Sequence, residues 1–333
     1  MIAAAALAFA VSAVSAAALA RARVLPMDVP NPRSLHERPV PRTGGLAVLL
    51  GLAAGVLAGG LPSGGHAAWV AGAVAGAAAA SFLDDVRGLA PAARLLVHAL
   101  AAGAVVAGAG LAIPRLVVPF AGDVPLGALA APLSVLALVW MANLYNFMDG
   151  MDGFAASMTI LGAATFGVAF LRAGDGAGAA VAFCLAAAAA GFLLLNRPPA
   201  RLFLGDVGAV PVGFLVGVLG LRGASRGAFD AALPLIAFAP FVVDATVTLL
   251  RRLARGERVW EPHRSHWYQR LVLAGLPPRR VLALEIACMA SSGALALAWQ
   301  RAGDGARAGV VLALVVLFFG VSRVVARAEA RAR

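Results

Sequence analysis

The chain lacks lysine altogether, contains two cysteines and is poor in charged residues. Only 13% of its 333 residues are charged, whereas about 25% is usual for soluble globular domains, so an ordinary soluble fold is excluded. Both cysteines, Cys184 and Cys288, lie within apolar stretches. This excludes a disulfide framework and a thiolate metal cluster and favours simple packing roles. Apolar residues dominate instead, at 62% of the chain with a mean hydropathy of +0.89.

Apolar stretches of membrane-spanning length recur from one end of the chain to the other, separated by short polar breaks. An α-helix needs about 20 apolar residues to cross the hydrocarbon core, so the sequence predicts an all-α, polytopic membrane helix bundle of roughly ten or eleven spans. Because no segment is both long and polar, residues 1–333 are expected to form one domain. The predicted spans are 2–20, 44–60, 67–83, 92–111, 129–146, 154–172, 177–195, 208–222, 230–250, 281–299 and 308–322.

Arginine is distributed unevenly among the predicted loops. The 27 arginines outnumber 16 acidic residues, a balance that in a soluble protein would suggest nucleic acid. In a membrane protein it reports orientation instead, because cytoplasmic loops collect positive charge. With the N-terminus outside and the C-terminus in the cytoplasm, 21 of the 27 arginines fall on the inner side. This threading predicts no nucleic-acid partner and a cytoplasmic active site built from loops 21–43, 84–91, 147–153, 196–207 and 251–280.

Two adjacent carboxylates, Asp84 and Asp85, stand at the inner end of the third predicted span. Adjacent carboxylates repel each other, so such a pair favours either a bound proton or a nearby cation. The pair would attract Mg²⁺ or take a proton from a phosphate nucleophile, and a solvated helix end is the alternative. His98, inside the next span, is expected to form a helix–helix contact.

Four polar residues follow one another at intervals of three: Asn143, Asn146, Asp149 and Asp152. On a regular α-helix the first and last of such a series point in opposite directions. Two arrangements would still bring them together: the helix tightens into a 3₁₀ turn, or it ends near Gly150 and the chain bends inward. Either predicts amides and carboxylates converging on one polar ligand, and an ordinary loop rich in Asn and Asp is the alternative.

Asp206 lies just ahead of an apolar span, with Gly205 before it and Gly208 two residues after it. The glycines let the backbone approach a ligand, and a carboxylate suits Mg²⁺ as an oxygen ligand. A helix N-cap is the alternative, and we favour the metal because four other carboxylates share the inner face. In the first inner loop, Arg42 and the glycine pair that follows would meet a phosphate, although a plain basic linker fits as well.

The longest inner loop contains His263, Arg264 and His266. Arginine offers forked donors and histidine offers donors or a titrating group, so these side chains suit a diphosphate. A zinc pair would lack further ligands, and a basic stretch resting on anionic headgroups is the alternative. Asp244, near the inner end of the ninth span, is also of interest because a carboxylate within a membrane is costly without a role.

Taken in order, these segments resemble the polyprenyl-phosphate N-acetylhexosamine-1-phosphate transferases of glycosyltransferase family 4. The run His-Arg-Ser-His-Trp-Tyr-Gln is similar to the branch that initiates O-antigen synthesis on undecaprenyl phosphate and that handles N-acetylated 6-deoxyhexosamines or N-acetylglucosamine. Ala209 stands where many relatives have serine. The resemblance covers most of the chain, through the stretches His36 to Gly45, Asp84 to Leu89, Asn143 to Gly153, Phe203 to Gly208 and Asp244 to Arg270.

The resemblance implies a role for each of these positions. Asp84, Asp85 and Asp149 would be catalytic. Asp206, together with Asp85 and Asp149, would hold Mg²⁺, with Mn²⁺ as an alternative ion. Phe203 would stack on uracil. The residues implied to bind substrate are Arg42, Asn143, Asn146, Asp152, Phe203, His263, Arg264 and His266.

The implied reaction transfers an N-acetylhexosamine-1-phosphate from a UDP-sugar to undecaprenyl phosphate and releases UMP, which starts O-antigen or another cell-envelope glycan. The enzyme would lie in the bilayer of the bacterial inner membrane, with a homodimer as one allowed assembly. Within the family, a phospho-N-acetylmuramoyl-pentapeptide transferase is the alternative. Outside it, a transporter or lipid flippase would place its ionisable residues near the membrane midplane, whereas the residues here gather at one edge.

Overall fold

The computed structural model describes residues 1–22, 26–30, 38–60, 65–258 and 263–332. His36 and Glu261, each part of a predicted motif, lie outside these residues. Within them the chain forms thirteen α-helices. These are α1 (Ile2–Leu19), α2 (Gly44–Ala58), α3 (Gly65–Arg87), α4 (Pro91–Gly108), α5 (Ala130–Met148), α6 (Phe154–Arg172), α7 (Gly176–Asn196), α8 (Asp206–Ser225), α9 (Ala232–Ala237), α10 (Ala239–Ala254), α11 (Trp267–Leu273), α12 (Pro278–Trp299) and α13 (Asp304–Ala332).

Two short antiparallel hairpins complete the described secondary structure. Strand β1 (Met27–Asp28) pairs with β2 (Val40–Pro41), and β3 (Arg115–Val118) pairs with β4 (Gly122–Pro125). A single 3₁₀ turn, Gly127–Leu129, leads into α5. The hairpins lie at opposite ends of the bundle, because β2 runs into the start of α2 whereas β3 and β4 connect the far end of α4 to the start of α5.

The predicted fold class is confirmed. Among the described residues, nine helices are long and apolar enough to cross a membrane, and α2, with 15 residues, is a shorter apolar helix. Helix α8 lies at the centre, where it contacts α2, α3, α5, α6 and α7, and 89% of its apolar window is buried. By contrast, only 17% of the window in α3 and in α13 is buried, so these two helices face outward.

Two predicted segments differ from the structure. The ninth span, 230–250, is broken at Phe238 into α9 and α10, because Pro240 has no N–H to continue a helix and instead begins the next one. The tail from Arg323 is not a loop, since α13 continues to Ala332. Its alanine- and arginine-rich composition favours helix, and 29 residues extend about 43 Å, which exceeds the hydrocarbon thickness.

Helices α2 and α8 cross where each carries a glycine. A Cβ added to Gly45 would collide with the backbone of Gly208, and a Cβ added to Gly208 would collide with Gly45. Small residues allow such close approach between membrane helices, and dispersion contacts then stabilise the crossing. The predicted site lies at this crossing, so its geometry depends on these two glycines.

Replacing Gly45 by valine is expected to separate α2 from α8, because backbone atoms of Gly208 cannot move aside as a side chain would. Overpacking of this kind costs about 1–3 kcal/mol. The measurement is the thermal unfolding midpoint of the detergent-solubilised protein. Gly72→Val is the matched control, since an added Cβ there has no atom within 4 Å. Equal midpoints for the two variants would contradict this account of the crossing.

Candidate active site at one end of the bundle

The first and fourth predicted site loops are joined through their backbones. Residues 203–204 pair with residues 41–45 through three hydrogen bonds of 2.8 Å each. Immediately afterwards, Gly205 adopts φ 71°, a left-handed conformation that favours glycine, and lies against the carbonyl of Arg42. The pairing therefore fixes Asp206, at the start of α8, relative to the loop that carries Arg42.

Asp85 connects α3 to this frame. Its side chain is 1% exposed; Oδ2 accepts a hydrogen bond from the Val207 N–H over 3.1 Å, and Oδ1 lies 3.4 Å from Arg42 Nε. Arg42 Nη2 also donates to the Asp85 carbonyl over 2.6 Å. The carboxylate is thus held between the N-terminus of α8 and the guanidinium of Arg42.

Asp84 pairs with Arg94, which was not among the predicted site residues. Its Oδ1 accepts the Leu89 N–H over 2.5 Å, and its Oδ2 lies 2.8 Å from Arg94 Nη1. The same nitrogen of Arg94 lies 3.8 Å from Asp206 Oδ2. Arg94 therefore bridges the carboxylates of α3 and α8. In the sequence Arg94 lies near the start of a predicted span, ten residues after Asp84. It contributed only to the count of arginines that predicts membrane orientation.

The four-residue polar series takes the second of the two predicted arrangements. Helix α5 ends at Met148, Asp149 leaves the helical conformation at φ −83° and ψ 57°, and Gly153 turns the chain with φ 76° into α6. The side chain of Asn146, in the last turn of α5, lies beside that of Asp206. The bend, rather than a 3₁₀ turn, brings Asp149 toward α8.

The carboxylates around Asp149 are close enough to affect its ionisation. Partial burial, followed by the nearby negative charges of Asp206, Asp152 and Asp85, raises the pKa of Asp149 to about 8. Carboxylates from three separate elements thus face one another across a small region. Such an arrangement is stabilised by positive charge, from arginine or from a cation.

The turn after α5 is tied to the loop before α8. Asp152 Oδ2 accepts the Ala200 N–H over 2.8 Å, and Asn196 Oδ1 accepts the Gly153 N–H over 2.9 Å. Asn196 Nδ2 donates in turn to the Leu202 carbonyl over 2.9 Å. Asn196 was not predicted, yet it anchors both loops. Asp152 therefore serves as a loop contact in addition to any contact with a ligand.

A cleft of 1320 Å³ opens beside this turn. Four arginines, one carboxylate and one aromatic ring are among the side chains that line it, together with several prolines. Its polar and aromatic lining includes Arg21, Arg38, Asp152, Arg201, Phe203 and Arg279. Arginines supply donors for phosphate, and an aromatic face supplies a stacking surface for a base.

The side chain of Asn143 contacts helix α4. Its Nδ2 donates to the Val139 carbonyl over 2.7 Å and lies 3.5 Å from His98 Nδ1. His98 is 4% exposed, which confirms the expected helix–helix contact between α4 and α5. The structure therefore places Asn143 in a packed interface rather than in the cleft.

His266 is organised by Asp244. The Asp244 carboxylate accepts the Trp267 N–H over 3.0 Å and the Thr248 hydroxyl over 3.0 Å, and its Oδ1 lies 3.4 Å from His266 Nδ1. Asp244 and His266 are 3% and 5% exposed. Asp244 thus starts α11 and orients the imidazole, which gives the costly membrane carboxylate a structural role.

The other two predicted residues of this loop are more exposed. His263 lies beside His266, with ring centroids 4.9 Å apart, and Ser265 N–H donates to its Nδ1 over 3.3 Å. Burial, then the neighbouring His266 and Arg252, lowers the pKa of His263 to about 4. Arg264 is exposed. Neither side chain touches the carboxylates at α3 and α8 in the described structure.

Helix α11 reaches the carboxylate site through Tyr268. This side chain is fully buried, its ring lies 4.6 Å from the ring of Phe154, and its hydroxyl lies close against Gly150. On the opposite face of α11, Arg270 forms a bidentate pair with Glu329 of α13, with N–O distances of 2.7 and 2.8 Å. The histidine loop is therefore linked to the Asp149 turn by packing.

The predicted magnesium ligands Asp85, Asp149 and Asp206 do not enclose a metal ion by themselves. Among the described residues, no three His, Cys, Asp or Glu side chains are arranged to enclose a metal ion. Mg²⁺ usually keeps several waters and binds through one or two carboxylates plus substrate phosphates. Asp206, with a side chain 31% exposed, offers such an open carboxylate; it is not the N-cap of α8, because Gly205 occupies that position. The donor set fits an ion shared with substrate.

These features define a polytopic helical membrane protein with an acidic, arginine-flanked site at one end. A sequence profile described as glycosyl transferase family 4 matches residues 67–224. A probable undecaprenyl-phosphate N-acetylglucosaminyl 1-phosphate transferase of Bacillus subtilis is 31% identical over 256 residues, which cover 76% of this chain and 71% of that protein. The chain belongs to glycosyl transferase family 4.

Two further relatives carry related names. A decaprenyl-phosphate N-acetylglucosaminephosphotransferase of Mycobacterium leprae is 31% identical over 287 residues, covering 77% of this chain and 72% of that protein. A phospho-N-acetylmuramoyl-pentapeptide-transferase of Synechococcus is 37% identical over 207 residues, covering 58% of this chain and 59% of that protein. The similarities to the Bacillus subtilis and Mycobacterium leprae proteins extend over more of this chain than the similarity to the Synechococcus protein.

The lowered pKa of His263 predicts how its contribution to stability depends on pH. Because the folded-state pKa lies below the ordinary value of 6.5, this contribution is complete above about pH 6.5 and is lost as the pH falls toward 4. We expect the unfolding midpoint to drop less between pH 7 and pH 5 in His263→Gln than in the wild type. Arg264→Gln, an exposed neighbour, should keep the wild-type drop. Equal drops in all three proteins would refute the prediction.

The pair between Arg270 and Glu329 predicts that α13 holds α11 in place. A seven-residue helix is not stable alone, and a part-exposed ion pair contributes about 1 kcal/mol or less. Glu329→Gln should therefore speed hydrogen exchange of the amides in residues 267–273 severalfold. The control is Asp175→Asn, which breaks a similar bidentate pair with Arg222 at the other end of the bundle. Unchanged exchange in α11 would contradict the link.

Proposed function

We propose that the protein transfers an N-acetylhexosamine-1-phosphate from a UDP-sugar to a polyprenyl phosphate and releases UMP. One observation carries this proposal: carboxylates of α3, of the turn after α5 and of α8 meet, with Arg42 and Arg94 between them, beside an arginine-lined cleft. Membership of glycosyl transferase family 4 and the names of the relatives support it. We place this end of the bundle at the cytoplasmic face of a bacterial inner membrane, because UDP-sugars are made in the cytoplasm.

The two substrates would approach the site from different sides. Arg94 stands on α4, beside Asp84 and Asp206, where it would hold the phosphate of a lipid lying along the outward-facing helices α3 and α4. The nucleotide would occupy the cleft, with Phe203 against uracil and Arg201 and Arg279 near the diphosphate. His266 would approach the diphosphate through the packing of α11 against Gly150.

The proposed chemical step is a single displacement at phosphorus. A phosphate oxygen of the lipid attacks the sugar-bound phosphorus, a new P–O bond forms, and the P–O bond to the uridine-side phosphate breaks. We favour this direct route over a covalent aspartyl intermediate, because an ionised lipid phosphate is already nucleophilic. Mg²⁺ at Asp206 would neutralise charge on the diphosphate when bound.

The protein groups would mainly position the reactants and balance charge. Asp85 is already held by Val207 N–H and Arg42, so we assign it to fixing the site rather than to moving a proton. Asp149 is only partly buried and lies near Asp206 at the start of α8, so we assign it as the carboxylate available to the reacting groups. Arginines that bridge carboxylates can shift toward phosphate as it enters.

The sugar is the finer part of the proposal. Several relatives are named for N-acetylglucosamine and one group for a muramoyl pentapeptide, so we propose UDP-N-acetylglucosamine as donor, with O-antigen as one product polymer. The test incubates purified protein with polyprenyl phosphate, Mg²⁺ and a panel of UDP-N-acetylhexosamines and UDP-N-acetylmuramoyl-pentapeptide. UMP release with one donor is expected. Release with none of them would refute transfer and leave a transporter or lipid flippase.

Asp206→Ala should reduce Mg²⁺-dependent UMP release at least a hundredfold, because charge on the diphosphate would lose its counter-ion. Removing one electrostatic contact in a reaction site typically costs roughly 100- to 1000-fold. Asp123→Ala, in the hairpin at the other end of the bundle, is the matched control and should leave turnover unchanged. Full turnover in Asp206→Ala would remove Asp206 from the metal role.

A further inference from the structure

A second, smaller cleft of 610 Å³ lies next to the first, between the end of α7 and the start of α12. It combines arginines with leucines in its walls. Its lining includes Leu194, Leu195, Arg197, Arg201, Arg279 and Leu282. The proposed transfer reaction assigns no role to Arg197 or to the leucine wall. We propose that this cleft binds the headgroup phosphate of an anionic phospholipid, with an acyl chain along the leucines.

No carboxylate of the described residues balances the positive charge of this cleft. Arg197, Arg201 and Arg279 form no salt bridge with any carboxylate of the described residues, whereas Arg94, Arg222 and Arg270 each do. Arg279 Nε donates to the Pro198 carbonyl over 3.1 Å, which holds its guanidinium at the cleft. Three guanidinium groups around one opening favour a phosphate, although two of them, Arg201 and Arg279, are shared with the nucleotide cleft. Basic pockets between membrane helices bind anionic headgroups in this way.

The depth of the cleft in the bundle favours a lipid over a soluble anion. Span α7 ends at Asn196 and span α12 begins at Pro278, so the arginines lie at the level where the apolar spans end. Leu194, 47% exposed, lies within the last turn of α7 and faces outward from the same opening. A free phosphate would gain nothing from this apolar wall, whereas an acyl chain would cover it.

The position of the cleft links lipid binding to the reaction site. Arg201 and Arg279 line both clefts, whereas Arg197 lines only the smaller one. The loop between Arg197 and Arg201 contains Ala200, whose N–H donates a hydrogen bond to the Asp152 carboxylate. A bound headgroup would therefore hold the loop that positions Asp152. A substitution of Arg197 therefore changes the lining of the proposed lipid site without changing the lining of the nucleotide cleft.

The test measures lipid binding to the full-length, delipidated protein by native mass spectrometry. Cardiolipin, phosphatidylglycerol and phosphatidylcholine are titrated separately, and inorganic phosphate is titrated as the soluble anion. The two anionic lipids are expected to bind more tightly than phosphatidylcholine. Arg197→Gln should weaken that binding about fivefold, since one arginine near a membrane surface contributes on the order of 1 kcal/mol. Arg197→Lys should retain most of it.

The matched control is Arg327→Gln, another exposed arginine near the same end of the bundle that lies outside the cleft. It should bind anionic lipid as the wild type does. Wild-type binding by Arg197→Gln, or an equal loss in Arg327→Gln, would overturn the proposal. So would inorganic phosphate binding that depends on Arg197 while cardiolipin binds no better than phosphatidylcholine. None of these readouts depends on transferase activity.

Discussion

The site depends on one backbone constraint, the pairing of residues 203–204 with residues 41–45. Three hydrogen bonds and the glycine crossing of α2 with α8 bring two helix starts together within a membrane bundle. Helix starts carry partial positive charge and unsatisfied N–H groups, so carboxylates are stabilised there. Asp85 accepts from Val207 N–H for this reason, and through it α3 joins the same frame. Without the pairing, the acidic residues would lie on separate helix ends.

Negative charge collected in this way must be balanced. Arg42 and Arg94 lie between the carboxylates of α3 and α8 and offset part of their repulsion. Burial, and after it the remaining repulsion, raises the pKa of Asp149. A site that is under-neutralised in this way favours a further cation, and the Mg²⁺ that we propose to accompany the diphosphate would supply that charge. Charge balance therefore connects the fold to the proposed phosphoryl transfer.

Much of the fold followed from hydropathy, because membrane-spanning helices must be long and apolar. The helix ends at Met148 and Asp206 lie within two residues of the predicted boundaries, since Gly and Asp mark them. The break at Phe238 and the helical tail after Arg323 were not predicted from hydropathy. The first depends on Pro240, which lies inside an apolar run that hydropathy treats as one span, and the second on an alanine- and arginine-rich tail that is helical although it is too polar to count as a span.

The site was predictable in its carboxylates but not in their partners. Unusual polar residues at span ends drew attention to Asp85, Asp149 and Asp206. Arg94, Asn196 and Tyr268 were missed, because an arginine, an asparagine or a tyrosine near a span end is ordinary until its partner is known. Asn143, which its spacing also placed in the site, lies against His98 in the structure, and its role toward a ligand stays a prediction.

The most direct test of the shared site is the side of the membrane from which its parts are accessible. Single cysteines would be introduced at Arg87, Arg201, Arg264 and Arg226, all of them exposed or partly exposed, after replacement of Cys184 and Cys288. A membrane-impermeant maleimide would then be applied separately to right-side-out and to inside-out membrane vesicles. The account predicts that positions 87, 201 and 264 label from one side and position 226 from the other. Labelling of the first three from different sides would contradict it.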